Sequence, residues 1–272
     1  MGCNLDTIIT GDCLDVLPAL ASESVDLVVT SPPYPGQKND THTVDEWLAW
    51  FAAVVAALHR VLTPVGVLVL NIMFKRTPDG WFDGRLFTAL PAIVAGQGFN
   101  WIDTYPWVKP NPAPNVSNAH RRSCDTPGWE PIFVFTRAAR IDDYQFDFVR
   151  RPYSPKSISS NGRAYSTRGG NFDPHPDGAR QPNWLMVSSS GSSRTKTPRA
   201  LGQSFPIAIP ERFILQHTQP GDVVLDPFCG AGTTCRAAQE NGRHYIGIEL
   251  LPGEAARAAE WLQRPYQMRM AM

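Results

Sequence analysis

Apolar residues along this chain fall into two rhythms, short runs closed by turn residues and longer stretches with one apolar face, and their alternation predicts an α/β protein. Asp6 to Thr10 reads as a first strand and Leu14 to Leu20 as a short helix. Val25 to Thr30 is a second strand, mostly apolar, that stops against Ser31-Pro32-Pro33-Tyr34. From Val44 to Leu62, the residues Trp47, Leu48, Phe51, Val54, Val55, Leu58 and Leu62 recur at helical spacing. Asp45 and Glu46 occupy the first turn of that helix, where its dipole favours acids. Val67 to Ile72, Asn100 to Val108 and Pro131 to Thr136 predict three more strands, with a helix from Gly84 to Gly96. Periodicity then lapses from about Ala138 to Gly202. It resumes in a helix opened by Pro210-Glu211-Arg212 and closed by Gln219-Pro220-Gly221. A strand over Asp222 to Leu225, a helix ending at Asn241-Gly242 and a strand over His244 to Ile248 follow, which makes seven strands.

The second strand ends in the stretch richest in chemistry. Two consecutive prolines lack the N–H groups a central strand needs, so the chain leaves the sheet at Ser31. Proline fixes its own φ and restricts the residue before it, which holds the Ser31 and Pro32 carbonyls in a stiff, extended geometry beside the Tyr34 ring. Rigid acceptors next to a flat apolar face suit a planar group that carries an exocyclic NH2. A polyproline ligand or an ordinary turn is the plainer alternative, and context has to separate them.

That context lies far along the chain. The strand over Asp222 to Leu225 runs into Asp226-Pro227-Phe228-Cys229-Gly230-Ala231-Gly232-Thr233-Thr234, and the next strand ends at Glu249. A βαβ unit with glycines after its first strand and an acid at the tip of its second is the arrangement that cradles a nucleoside. Glycines let the backbone approach a ligand closely, and the carboxylate accepts hydrogen bonds from ribose hydroxyls. The dinucleotide pattern GxGxxG needs a third glycine at 235, where this chain has Cys235, so a pyrophosphate site is the weaker reading. With Asp226 able to meet an ammonium group, the turn suits S-adenosyl-L-methionine.

Composition and charge narrow the class. The chain has 272 residues and 43% hydrophobic content, enough for one large domain or a domain with an insertion. No apolar run approaches the roughly 20 residues that span a bilayer, and the first residues lack a basic segment followed by an apolar one. A soluble, cytoplasmic protein without membrane contact is expected. Five cysteines without CxxC spacing imply neither a disulfide framework nor a zinc site, and no metal is expected. Net charge is zero but segregated. Residues 109–199 hold fourteen Lys and Arg against seven Asp and Glu, and the remainder holds eleven against eighteen. A basic middle on an acidic body fits a polyanion-binding region joined to a catalytic one; a merely solvated basic face or a disordered spacer is the alternative. Arg151, Tyr153, Arg163, Tyr165, Arg168, Arg180 and Trp184 interleave cations with rings there, the mixture that meets phosphates and bases. The expected organisation is a catalytic half over 1–137, a target-recognition insertion over 138–202 and a cofactor-binding half over 203–272.

With Ser-Pro-Pro-Tyr first and Phe-x-Gly-x-Gly last, the chain resembles DNA amino-methyltransferases of the circularly permuted β group. The resemblance covers nearly all of the chain except the middle insertion. It implies a Rossmann-like, adenosylmethionine-dependent methyltransferase fold with a mostly parallel seven-stranded sheet and an inserted target-recognition region. Phe228, Gly230 and Gly232 match the turn around the methionine part of the cofactor, with Thr233 and Thr234 opening the helix behind it. Glu249 matches the ribose-binding acid. Asp12, in Gly11-Asp12-Cys13, matches the acid that meets the adenine amino group, and Cys13 belongs to the same cofactor segment. Phe205-Pro206 begins a segment similar to the family's cofactor-side HPAPFPEE, with Phe205 where histidine is usual. Trp107-Val108-Lys109, Arg121-Arg122 and Trp129-Glu130-Pro131 resemble the segments lining the target-base side. Lys109, Arg121, Arg122, Arg163, Arg168 and Trp184 are the expected DNA contacts. DNA is the implied partner, and a restriction endonuclease acting on the same site is a candidate second one.

The chemistry that follows is methyl transfer to an exocyclic amine of a base turned out of the duplex. Tyr34 would stack on the base, while Ser31 and the Pro32 carbonyl, held by Pro33, accept the amine protons. Serine at 31, where adenine enzymes more often carry aspartate, points to N4 of cytosine, with N6 of adenine as the alternative. A C5-cytosine enzyme would need a nucleophilic cysteine in a Pro-Cys pair, which is absent, and Cys229 in the glycine turn reads as structural. A nucleotide-dependent oxidoreductase and a non-catalytic DNA-binding protein are the rivals from other classes.

Overall fold

The computed structural model describes residues 4–35, 42–73, 75–76, 82–110, 128–151, 164–165, 171–172, 175–188 and 205–266. Eight strands make one sheet: β1 (Thr7–Thr10), β2 (Val25–Thr30), β3 (Leu62–Asn71), β4 (Asn100–Val108), β5 (Trp129–Thr136), β6 (Leu185–Met186), β7 (Val223–Asp226) and β8 (His244–Glu249). Their order across the sheet is β1-β8-β7-β2-β3-β5-β4-β6. Only β5 runs against its neighbours, pairing antiparallel with β3 and β4, so the sheet is mostly parallel as expected. Among the described residues the sheet has eight strands rather than the expected seven. β6 comes from the middle insertion and pairs with β4 through Leu185↔Trp107 and Met186↔Val108. Two residues are too few to show a period of two, which hid this strand in the sequence.

Side chains alternate between two faces, and each face is covered by its own helices. Leu68, Leu70, Phe133 and Phe135 point into one core with α1 (Cys13–Val16), α2 (Val44–Val61) and α3 (Arg85–Gly96). Val67, Val69, Ile132 and Val134 point into the other, with α4 (Ala208–His217) and α5 (Thr233–Glu240). α2 carries a reciprocal cap in which Thr43 Oγ1 accepts from Glu46 N while Glu46 accepts from Thr43 N. Its apolar stripe ends at Val61, and Leu62 already begins β3, five residues before the strand read from the sequence. Pro64 and Gly66 look like loop punctuation in the sequence, but they lie inside β3, whose Thr63–Val65 stretch is only partly buried or exposed. The helix expected over Leu14 to Leu20 is one α-turn, α1, followed by a 3-10 turn at Leu17–Ala19 that accommodates Pro18. A C-terminal helix, α6 (Pro252–Gln263), went unread; its buried Ala255, Ala258, Trp261 and Leu262 carry the helical spacing that would have revealed it.

The topology fixes where a ligand can sit. β2 leads through α2 to β3 on one side, whereas β7 leads through α5 to β8 on the other, with α2 and α5 on opposite faces. Neighbouring parallel strands whose connections depart in opposite directions leave a crevice outside their carboxyl ends. That crevice lies between β7 and β2. Among the described residues, no helix is long and apolar enough to cross a membrane.

Candidate functional site

Reading along the carboxyl edge of the sheet, the strand ends present Asp12 just beyond β1, Glu249 on β8, Asp226 on β7, Ser31 just beyond β2 and Asn71 on β3. Because β5 is antiparallel, its start brings Glu130 to the same edge, beside Lys109 at the end of β4. Polar residues thus line the carboxyl edge of the sheet. A separate cavity of about 650 Å³ lies at the opposite edge, among Asp6, Tyr245, Leu262 and Tyr266.

The two motifs that stand far apart in the chain are joined by a hydrogen bond. Thr30 Oγ1 donates to Asp226 Oδ1 at 2.7 Å, and the same oxygen accepts from Phe228 N at 3.1 Å. Thr234 Oγ1 donates to Val29 O at 3.3 Å and adds a second tie between β2 and the start of α5. Burial raises the Asp226 carboxyl to about 6, against the lowering effect of the Thr30, Thr234 and Phe228 donors. α2 touches both loops from one face. Trp47 Nε1 donates to Pro33 O at 2.6 Å, and the Trp50 ring lies 5.7 Å from that of Phe228.

On the β7 side, Gly230 and Gly232 take φ of +50° and +81°, the left-handed region that glycine enters without strain. A Cβ on Gly230 would meet nothing within 4 Å, so the turn opens onto free space, whereas one on Gly232 would come within 3.2 Å of Ala258 Cβ. Thr233 Oγ1, at the start of α5, is buried and has no hydrogen-bond partner. The Glu249 carboxylate accepts from Gly230 N through Oε2 and from Leu251 N through Oε1, both at 2.9 Å. It therefore shapes the turn while keeping lone pairs for a further donor. Asp12 caps α1 by accepting from Leu14 N at 2.8 Å. Cys13 is buried behind it, its thiol pushed up to about 12 by burial and then by the Asp12 charge. Phe205 is buried in the second core, and Pro206 O accepts from Ile209 N at 2.9 Å at the entry to α4. Cys229 and Cys235 are both buried, and their mutual hydrogen bond, followed by burial, holds the Cys229 thiol far above its ordinary value. A thiol so held is inert as a nucleophile.

On the β2 side, Ser31 Oγ lies 2.7 Å from Tyr34 Oη, and the Tyr34 hydroxyl donates to Asn71 O at 3.3 Å. Asn71 Nδ2 in turn donates to Glu130 Oε2 at 3.3 Å. Lys109 forms an ion pair with Glu130 Oε1 and lies over the Trp107 ring, 4.6 Å from its centroid. Of the residues expected to meet DNA, Lys109 therefore has its charge already engaged, and Trp184 is 42% exposed next to β6. Arg121, Arg122, Arg163 and Arg168 lie outside the described residues. The sequence does not disclose the bond from Thr30, at the head of the Ser-Pro-Pro stretch, to Asp226, nor the double role of α2. A threonine ahead of Ser-Pro-Pro carries no signal of its own, and Trp47 and Trp50 look like core packing.

An α/β sheet with a crevice at its switch point, glycines on one wall and a proline-braced serine on the other, is an arrangement able to hold a nucleoside-type cofactor against a second substrate. Residues 25–260 match the model of the N6/N4 family described as DNA methylase, and the chain belongs to that family. It is 28% identical over 252 residues to the type II methyltransferase M.BglII of Bacillus subtilis, a match covering 91% of this chain and 66% of that protein. The structure is similar to that of the PvuII DNA methyltransferase (cytosine-N4-specific), with a TM-score of 0.75 and 21% identity over 97% of this chain and 88% of the other. It is also similar to the M1.HpyAVI–SAM complex, with a TM-score of 0.60 and 24% identity over 95% of this chain and 99% of the other.

Proposed function

We propose that this chain is a DNA methyltransferase of the circularly permuted β group that transfers a methyl group from S-adenosyl-L-methionine to the N4 amine of a flipped cytosine. The observation that carries the reading is the Thr30–Asp226 hydrogen bond at 2.7 Å, which ties the Ser-Pro-Pro-Tyr loop to the glycine turn across the switch-point crevice. Family membership supports methylation of DNA. Serine at 31 and the likeness to a cytosine-N4-specific enzyme favour cytosine, and N6 of adenine is the runner-up.

The residues fit the cofactor. The open space above Gly230 and the unpartnered, buried Thr233 hydroxyl offer room and a polar contact at one place. Phe228, Gly230, Gly232, Thr233 and Thr234 would hold the methionine part, Glu249 the ribose and Asp12 the adenine, with Cys13, Phe205 and Pro206 packed alongside and Asp226 bracing the turn. When bound, adenosylmethionine supplies an electrophilic methyl on a sulfonium sulfur. The protein's task is to prepare the nucleophile. A cytosine amine is weakly nucleophilic because its lone pair is delocalised into the ring, and eversion of the base costs a few kcal/mol. Stacking on Tyr34 offsets roughly 1 to 3 kcal/mol of that cost. Ser31 Oγ and the Pro32 carbonyl accept the amine protons, draw the nitrogen toward tetrahedral geometry and stabilise the positive charge it gains. Pro33, anchored by Trp47, keeps those acceptors from relaxing, so positioning supplies most of the rate.

The basic insertion over 138–202 is the proposed target-recognition region, with Arg121, Arg122, Arg163, Arg168 and Trp184 toward DNA; a restriction endonuclease acting on the same site is the partner to seek, and the cytoplasm the proposed compartment. The test is transfer of tritiated methyl from labelled adenosylmethionine to duplex DNA. Label in DNA is the expected result. DNA binding without transfer, or oxidation of a reduced nicotinamide in its place, overturns the proposal.

A further inference from the structure

Ser31 is connected along the β2 side of the crevice, across β3 and β5 to the end of β4, by an unbroken series of polar contacts. Lys109 Nζ pairs with Glu130 Oε1, and the two side chains are 18% and 9% exposed. Glu130 Oε2 accepts from Asn71 Nδ2, the Asn71 main-chain oxygen accepts the Tyr34 hydroxyl proton at 3.3 Å, and Tyr34 Oη lies 2.7 Å from Ser31 Oγ. A phenol has one proton to give. Either hydroxyl can donate in the 2.7 Å contact; giving the phenol proton to Asn71 O makes the Ser31 hydroxyl its donor. Both lone pairs of Ser31 Oγ then remain for an incoming amine, and no serine proton points at it. The direction matters chemically. A serine O–H aimed at the amine would hydrogen-bond the nitrogen lone pair that has to attack the methyl carbon, whereas a serine lone pair accepts an N–H and leaves that pair exposed.

We propose that Tyr34, Asn71, Glu130 and Lys109 are positioning residues that fix the direction of the Ser31–Tyr34 hydrogen bond, so that Ser31 Oγ meets the substrate amine only as an acceptor. This rests on the methyltransferase reading above. It reassigns Lys109 from DNA phosphate contact to support of the catalytic loop. Burial, and after it the nearby Glu130 charge, push the Tyr34 phenol well above its ordinary range, which keeps the required proton on it. Lys109 holds Glu130 in place, since a buried carboxylate stripped of its cation is destabilised and withdraws from its remaining partners.

The test uses the full chain with Tyr34→Phe, Lys109→Met and Glu130→Gln. Tyr34→Phe keeps the stacking ring and removes the hydroxyl, which guards against misfolding of the buried variants. It is expected to lower kcat about 10- to 100-fold with little change in KM for DNA, the range set by one hydrogen bond acting in the transition state. Lys109→Met is expected to lower kcat in the same direction and to leave the salt dependence of DNA affinity unchanged. Glu130→Gln is expected to lower kcat in the same direction, again with little change in KM for DNA. Wild-type kcat in Tyr34→Phe or in Glu130→Gln, or a flattened salt dependence with intact kcat in Lys109→Met, would each overturn the proposal. Absence of methyl transfer by the wild type defeats the methyltransferase reading instead.

Discussion

Asp226 and His217 show how far burial moves single groups and what that does to stability. Burial pushes the Asp226 carboxyl up to about 6, so between its unfolded value and 6 the folded state binds the extra proton. Its stabilising contribution is full at low pH and is lost as pH rises through that window. His217 behaves oppositely. Burial, helped by the Arg212 charge and resisted by Gln145 O and Asp147, lowers its imidazole to about 4. In that case the unfolded state binds the extra proton, and the contribution, on the order of 3 kcal/mol, is full above the unfolded value and lost as pH falls toward 4. The two slopes oppose each other between about pH 4 and 6. Relative to wild type, Asp226→Asn is expected to make stability rise more steeply with pH across this window, and His217→Gln to make it rise less. Urea unfolding at several pH values reads both, and parallel profiles for wild type and either variant would contradict the assignment. Neither shift was legible in the sequence, because each depends on neighbours that only the fold supplies.

At the scale of elements, close approach between β8 and the glycine turn sets the geometry of the cofactor wall. A Cβ on Gly247 would fall 2.5 Å from Ile8 Cδ1 and 2.9 Å from both Cys229 Sγ and Cys235 Sγ. Ile8 can rotate away, but the sulfurs are buried in a turn and a helix that have nowhere to move. Gly247→Ala is therefore expected to cost about 1 to 3 kcal/mol by overpacking; an unchanged urea midpoint would show that the turn yields. What the sequence disclosed at this scale was what periodicity and turn chemistry encode. β2, α2, β7 and β8 were read nearly to the residue because their apolar patterns are long or end in proline and glycine. β6 escaped because a two-residue strand has no period, and the early start of β3 was masked by Pro64 and Gly66, which usually end elements but here lie inside the strand, Pro64 exposed and Gly66 buried. The chain order of Ser31 and Gly230 was plain from the sequence, but the bond between Thr30 and Asp226, 196 residues apart, required the strands to be placed side by side.

Across the whole molecule, charge is divided between a basic middle and an acidic remainder, fourteen cations to seven anions against eleven to eighteen. In a DNA enzyme that division is expected to concentrate phosphate contacts in the middle segment. Neutralising Arg163 and Arg168 together is expected to reduce the slope of log affinity against log salt by roughly 2, near one unit per lost phosphate contact. An unchanged slope would remove both from the contact surface. Set beside the constant slope expected of Lys109→Met, the experiment separates cations that hold DNA from one that holds the site. Whether two loops joined across one crevice methylate a cytosine amine is decided by mass spectrometry of nucleosides from DNA incubated with the protein and labelled adenosylmethionine. Labelled 4-methylcytosine is the predicted product; 6-methyladenine would contradict the choice of base, and unlabelled DNA would contradict the reaction itself.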